Sequence, residues 1–310
     1  MKTPPKSFDE IFEKISPNLQ LLEEVRKNRA KDILLWEILG ITSLALIFLV
    51  FNLGLYFLGA IIILFILYCV GMVFEKLDVA TKDLAPKFKK TVILALLDYF
   101  YDHVEYIPNQ RMSIHLLNKS LLIRKFVYKH WGEDFITCRI GHTDVYFSEI
   151  ETFHLNQQKS TFRGVFIAVM FNKQFSTKTV VINRKDSTLF RKAKLNLFGD
   201  MKKANYVKLE SIEFNKNFLV IAEDQIEARF KLTPALMEMM LAYKKKLNTT
   251  VSFSFIENYL YITIQSDKNL FEPRLLKPLN DKKFIENNYL YLDLLTTVVK
   301  DLDLNTRIWL

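Results

Sequence analysis

Between Leu34 and Phe74 the chain carries a single charged side chain, Glu37, near the start of the run. About 40 apolar residues in succession are twice the roughly 20 needed to cross a bilayer once. Length therefore predicts two helices, over Leu34–Phe51 and Tyr56–Phe74. The midpoint, "FLVFNLGLYFLG", holds Asn52 and Gly54, residues that tolerate the backbone angles of a tight reversal. Trp36 and Tyr56 fall where amphipathic rings favour the headgroup level. A core hairpin of a soluble protein would need more surrounding protein than 310 residues supply. The run also starts too late, and is too long, for a signal peptide.

Basic residues set the expected orientation. Arg26, Lys27, Arg29 and Lys31 precede the first span, and Lys76, Lys82, Lys87, Lys89 and Lys90 follow the second, while the turn has none. Positive flanks stay in the cytoplasm, so both termini are expected inside, at a bacterial inner membrane. Cys69 falls within a span and Cys138 outside it, a placement that predicts no disulfide.

Four segments follow: cytoplasmic juxtamembrane helices over 1–33, the transmembrane hairpin over 34–74, a membrane-exit helix over 75–110, and a cytoplasmic α+β domain over 111–310. In the first, Ser7-x-x-Glu10 has the form of a capping box, and Ser16-Pro17 reads as a second helix start. Phe88, Val92, Leu96 and Tyr99 recur at helical spacing until "YIPNQ" interrupts them.

Strand character begins near residue 133. "DVYFSEIETF" and "GVFIAVMF" are rich in β-branched and aromatic residues, the second apolar on both alternating sets, as a central strand would be. "TKTVVIN" is placed as its hairpin partner. "VSFSFIENYLYITIQ" predicts a hairpin turning at Glu257-Asn258. Asp224 and Thr233-Pro234 start helices, and a last helix over Lys282–Asp303 is expected to close over the sheet. The two Phe-Asn-Lys tripeptides, at 171 and 214, read as turns beside strands. Gly132 and Gly141 read as turn residues flanking a strand.

No phosphate-binding glycine loop, His-Glu-x-x-His, Cys-x-x-Cys or Gly-x-Ser-x-Gly is present, so no cofactor and no metal are expected. His142, Asp144, Ser148 and His154 share one strand parity but lack an oxyanion-hole signature. His103 beside Asp102 and Glu105 reads as an exposed helix end. Charge is more informative. Residues 173–203 hold nine basic side chains (Lys173, Lys178, Arg184, Lys185, Arg191, Lys192, Lys194, Lys202 and Lys203) against Asp186 and Asp200, a net of +7. That equals the whole excess of residues 91–310. Two readings stand for it: a solvated loop, or a surface held against anionic lipid headgroups or a polyanion. No nucleic-acid partner is expected.

"GEDFITCRIGHTDVYFSEIE" (132–151), "FRGVFIAVMFNKQF" (162–175), "LESIEFNKNFLVIAEDQIEARFKLTPALMEMM" (209–240), "LFEP" (270–273) and "DLDLNTRIW" (301–309) resemble an uncharacterised bacterial family. Its members have two spans near the N-terminus and a cytoplasmic domain of unknown function. The resemblance implies an inner-membrane protein, no particular activity, and a LemA-like helical membrane protein as partner. Cys138 departs from the family, which carries a small residue there, often Gly. Among the shared residues, Glu210, Glu227, Arg229 and Glu272 read as ion pairs that fix packing, with a ligand site as the alternative.

The expected fold is thus α+β: a two-helix transmembrane hairpin followed by a mainly antiparallel sheet closed by helices. The expected function is a membrane-tethered scaffold or adaptor, without catalysis, for a protein or anionic headgroups. The alternative is a membrane-anchored enzyme or ligand sensor using the Glu/Arg set.

Overall fold

The computed structural model describes residues 8–123, 127, 129–140, 143–153, 160–170, 174–184, 201, 204–267, 269, 271–273 and 275–301. The chain divides into two compact units, one of Met1–Leu97 with Leu270–Tyr291, the other of Asp98–Asn269 with Leu292–Leu310.

The first unit is built on two long helices, α1 (Phe8–Asn52) and α2 (Tyr56–Phe88). The reversal falls at the expected place. Gly54 takes a φ of 73°, Leu55 N–H donates to Val50 O and Gly54 N–H to Phe51 O. Those paired bonds are a Schellman motif, which satisfies carbonyls that the end of α1 would otherwise leave bare. α1 does not restart at Ser16-Pro17. Pro17 removes one backbone bond, at a cost of about 3 kcal/mol, yet Ile11, Ile15, Leu19 and Leu22 form one unbroken buried stripe across it. Packing of that stripe outweighs the local break. Ser7 lies outside the described residues.

α2 passes through a π-helical segment, Lys89–Ile93, into α3 (Leu94–Phe100). The same unit recovers the chain at Phe271. Lys89 pairs with Glu272 at 2.8 Å, Arg26 donates to Leu275 O at 2.7 Å, and Glu23 accepts from Leu279 N–H at 2.8 Å. The final helix, α8 (Lys282–Asp301), starts in this unit. Phe284 packs on Phe88 and Tyr289 on Phe8. The expectation that this helix closes over the sheet is therefore corrected for its first half, whose apolar stripe meets the N-terminal helices. From Leu292 it belongs to the second unit, where Tyr101 donates to Leu292 O.

Among the described residues, the second unit forms a nine-stranded antiparallel sheet in the order β1-β2-β3-β4-β9-β8-β5-β7-β6. The strands are β1 (Asp102–Ile107), β2 (Lys129–Ile140), β3 (Thr143–Phe153), β4 (Ser160–Met170), β5 (Thr179–Asn183), β6 (Asn205–Val207), β7 (Phe218–Ala222), β8 (Val251–Ile256) and β9 (Tyr259–Gln265). Helices α4 (Ile114–Lys119), α5 (Ile212–Asn217), α6 (Gln225–Lys231) and α7 (Pro234–Leu247) complete it. The α+β class is as expected.

β4 is central: Gly164 to Val169 are all buried, with Phe166 and Ala168 in the core beneath α4 and Val165, Ile167 and Val169 facing the other way. Its neighbours are β3 and β9. "TKTVVIN" becomes β5 and pairs with β7 and β8, so its assignment as the hairpin partner of β4 is corrected. Adjacency in sequence lost to a long-range pairing that buries all five β5 residues. The β8–β9 hairpin turns at Glu257-Asn258 as expected, Glu257 taking a φ of 53°. Asp224 and Thr233 cap α6 and α7 as read.

Three local readings differ from the structure. Residues 102–107 are a strand, because pairing with β2 prevails over a short helical stripe; His103 and Glu105 sit on it and not on a helix end. Gly132 lies inside β2, where a Cβ would come within 2.4 Å of Glu149 O, so close approach and not a turn requires it. The Phe-Asn-Lys at 214 is in α5, whose N-cap is Ser211. The tripeptide at 171, and Gly141, lie outside the described residues.

Candidate functional site

The hairpin is the first candidate, as a membrane anchor. Both helices are long and apolar enough to cross a bilayer. Their large side chains point outward: Phe48 is 75% exposed and Phe57 84%. Contact between the helices uses small groups. Phe51 lies 2.8 Å from where a Cβ on Gly59 would be, and Gly40 faces Cys69. An outward apolar surface of this extent marks a membrane- or protein-interaction face. Aromatic rings mark two levels. Trp36 packs edge-on against Tyr68 near one end, and Phe51 against Tyr56 at the turn. From Trp36 to Phe51 a helix rises about 22 Å at 1.5 Å per residue, which lies within a hydrocarbon layer of about 30 Å. Glu37 is exposed beside the lower ring pair. Below it, charges join the helices, with Arg29 to Asp83 at 3.3 Å and Lys87 to Asp83 at 2.6 Å.

The charged residues singled out by sequence are divided between the two units. Glu272 belongs to the first unit and pairs with buried Lys89. Glu227, on α6 in the second unit, accepts from Thr177 Oγ1 at 2.5 Å and pairs with Lys231 at 3.0 Å. Burial opposes its ionisation, but those hydrogen bonds outweigh it and hold its carboxyl below the usual range. Arg229 spends its guanidinium on the Gln225 and Lys208 carbonyls. Glu210 is exposed just before the cap of α5.

Of the basic set, Arg184 is exposed and donates to Asn215 O at 2.6 Å. Lys178 is half-buried, its N–H held by Glu223. Lys173, Lys185, Arg191, Lys192, Lys194, Lys202 and Lys203 lie outside the described residues.

Sequence reasoning passed over Lys231, which is 2% exposed. Its ammonium meets Glu227, the Thr177 carbonyl and the Phe175 ring, 4.9 Å from the centroid. Burial pushes its pKa down and Glu227 partly restores it. The i,i+4 spacing of Glu227 and Lys231 was the available signal. Glu23 and Arg26 were missed as well, although their i,i+3 spacing was equally visible; they bond at 2.7 and 2.8 Å.

Asp144 pairs with Arg139 at 2.8 Å, and Ser148 is buried with its hydroxyl donating to Glu133 O; His142 and His154 lie outside the described residues. Cys138 is buried and unpaired, and burial pushes its thiol far above the usual range, which makes it inert. Glu133, Asp134 and Glu149 bring one carboxylate oxygen each within 4.8 Å at a bulge in β2, where Asp134 has a φ of 56° and accepts from Tyr106 OH.

The architecture is that of an α+β sheet domain carried on a pair of long apolar helices. The family described as protein of unknown function (DUF3137) matches residues 160–304, just under half of the chain. This meets, over that stretch, the expectation of a family without an assigned activity. No curated protein matches the chain. Among solved structures, the mycobacterial trehalose monomycolate transport factor A, TtfA, is similar over 64% of this chain and 88% of its own, with 5% identity and a TM-score of 0.32.

Proposed function

We propose that this protein is a membrane-tethered scaffold or adaptor. Its hairpin crosses a bacterial inner membrane with both termini in the cytoplasm, and its sheet domain engages anionic lipid headgroups without catalysis. The observation that carries this reading is the hairpin itself: two bilayer-length helices with outward apolar side chains, a three-residue turn, and basic residues only on the far flanks. Basic flanks favour the cytoplasmic side. The engagement of Glu227, Arg229 and Glu272 with separate internal partners supports packing roles for them over a shared ligand site.

The test uses the whole chain in proteoliposomes, labelled on the exposed α7 residue Glu238 after substitution by cysteine. Energy transfer to headgroup-attached acceptors should be stronger in anionic than in zwitterionic bilayers, and should fall as salt rises. Changing Arg191, Lys192, Lys194, Lys202 and Lys203 to Gln should remove most of that difference, since each basic side chain near an anionic surface contributes about 1 kcal/mol. Transfer that ignores lipid charge, salt and the five substitutions would refute the headgroup reading.

A further inference from the structure

We infer that the cleft between α5 and α7 binds a dipeptide with free ends and small apolar side chains; this goes beyond the headgroup reading and does not depend on it. The cleft has a volume of about 480 Å³, within the range of small-molecule sites. One face of α7 forms one wall, where Glu238, Leu241, Ala242 and Lys245 recur at helical spacing. Glu213 and Asn217, one turn apart, line it from α5. Lys244 joins the two helices. Its ammonium donates to Asn217 O at 3.2 Å and to Asn217 Oδ1 at 2.9 Å, and lies 5.2 Å from the centroid of the Phe218 ring. Asn217 Nδ2 in turn donates to Glu213 O at 3.0 Å. These contacts fix the width of the cleft and occupy Lys244.

The other charges of the cleft are unspent. Glu213, Glu238 and Lys245 form no ion pair with any described residue. For α7 the sequence gives the reason. Ion pairs along a helix need a spacing of three or four, and Leu241 and Ala242 fill those positions for both Glu238 and Lys245. The two charges stand seven residues apart, about 10 Å along the axis at 1.5 Å per residue. The α7 wall therefore carries a carboxylate at one end, an ammonium at the other, and apolar side chains between them. A ligand that complements all three has an ammonium, a short apolar body and a carboxylate. A single amino acid holds both charges on one carbon and is too short. Two extended residues span about 7 Å, and a hydrogen bond of about 3 Å at each end completes the distance. Glu213 lends the cleft a second carboxylate, and Asn248, at the C-cap of α7 beyond Lys245, adds an amide donor for the ligand's carboxylate.

The test titrates the full chain, in detergent micelles and with its alanine methyl groups carbon-13 labelled, with L-alanyl-L-alanine. The Ala242 methyl resonance, identified by its loss in Ala242→Ser, should move and saturate. The N-acetylated and the C-amidated dipeptide should each bind at least about tenfold more weakly, the loss of one charge-assisted hydrogen bond. Glu213→Gln with Glu238→Gln should weaken the free dipeptide and abolish its advantage over the N-acetylated form, while its advantage over the amide persists. Lys245→Gln should do the converse. All three side chains are exposed, so the melting temperature should stay in place. An Ala242 resonance that does not move with the dipeptide would overturn the site. So would equal binding of the free and capped forms, or substitutions that weaken all three ligands alike. None of these outcomes bears on the headgroup reading.

Discussion

Gly164 shows how much a single position can decide. It sits on β4 with a φ of 149°, and a Cβ there would fall 2.0 Å from Ile264 O on β9. Gly164→Ala should therefore cost about 3 kcal/mol, combining backbone strain with overpacking, and denaturant titration of the sheet should show it. Glu23 offers a second test. Its carboxyl is held below the usual range first by the Arg26 guanidinium, against the opposing effect of burial, and then by Leu279 N–H. A depressed carboxyl contributes stability that is present above its unfolded value, near 4.5, and is lost as pH falls through its lower folded value. Hydrogen-exchange protection factors of residues 275–285, taken relative to the intrinsic rate at each pH, should thus fall on acidification, and Glu23→Gln should flatten that dependence. Arg26→Ala should cost about 3 kcal/mol, because it leaves a buried carboxylate without its counter-ion.

Elements whose cause is local were legible in the sequence. The hairpin turn follows from Asn52 and Gly54, the caps of α6 and α7 from Asp224 and Thr233, and the β8–β9 turn from two polar residues between alternating runs. What periodicity does not encode is which strands meet. The pairings of β4 with β9 and of β5 with β7 and β8 join residues far apart in sequence, and nothing in "TKTVVIN" specifies them. The same holds for the candidate charged residues. Glu227 was visible, but its partner Thr177 reaches it through the fold, and Glu272 finds Lys89 across most of the chain. At this scale the anchor can be tested by topology. Asn52→Cys, in a chain lacking Cys69 and Cys138, should react with an impermeant maleimide from outside intact spheroplasts, whereas native Cys138 should require an opened membrane and unfolding, being 2% exposed. Helix packing gives a second handle. Phe88 is fully buried against Phe284, so Phe88→Ala should cost roughly 3–5 kcal/mol.

For the whole molecule, the decisive feature is that the chain leaves the helical unit at Leu97 and returns to it at Leu270. The stretch between them holds every strand, and the chain passes to the sheet unit once more at Leu292. From sequence alone, residues 91–310 look like an independent domain, since every strand follows the spans. The unit boundaries argue otherwise for one stretch. Leu275, Leu279 and Ile285 are buried in the unit built on α1 and α2, and Glu23 and Arg26 hold the backbone of that stretch. A fragment of residues 91–310 lacks these partners. Its β3, β4, β8 and β9 amides should keep their slow hydrogen exchange, because their pairings are internal to the fragment. Amides of 275–290 should exchange fast, and a protease should cut there first. Adding residues 8–90 in a detergent micelle as a separate chain should restore protection to 275–290. If the fragment alone protects that stretch as well as the full chain does, the return segment belongs with the sheet, and the division at Leu270 does not hold.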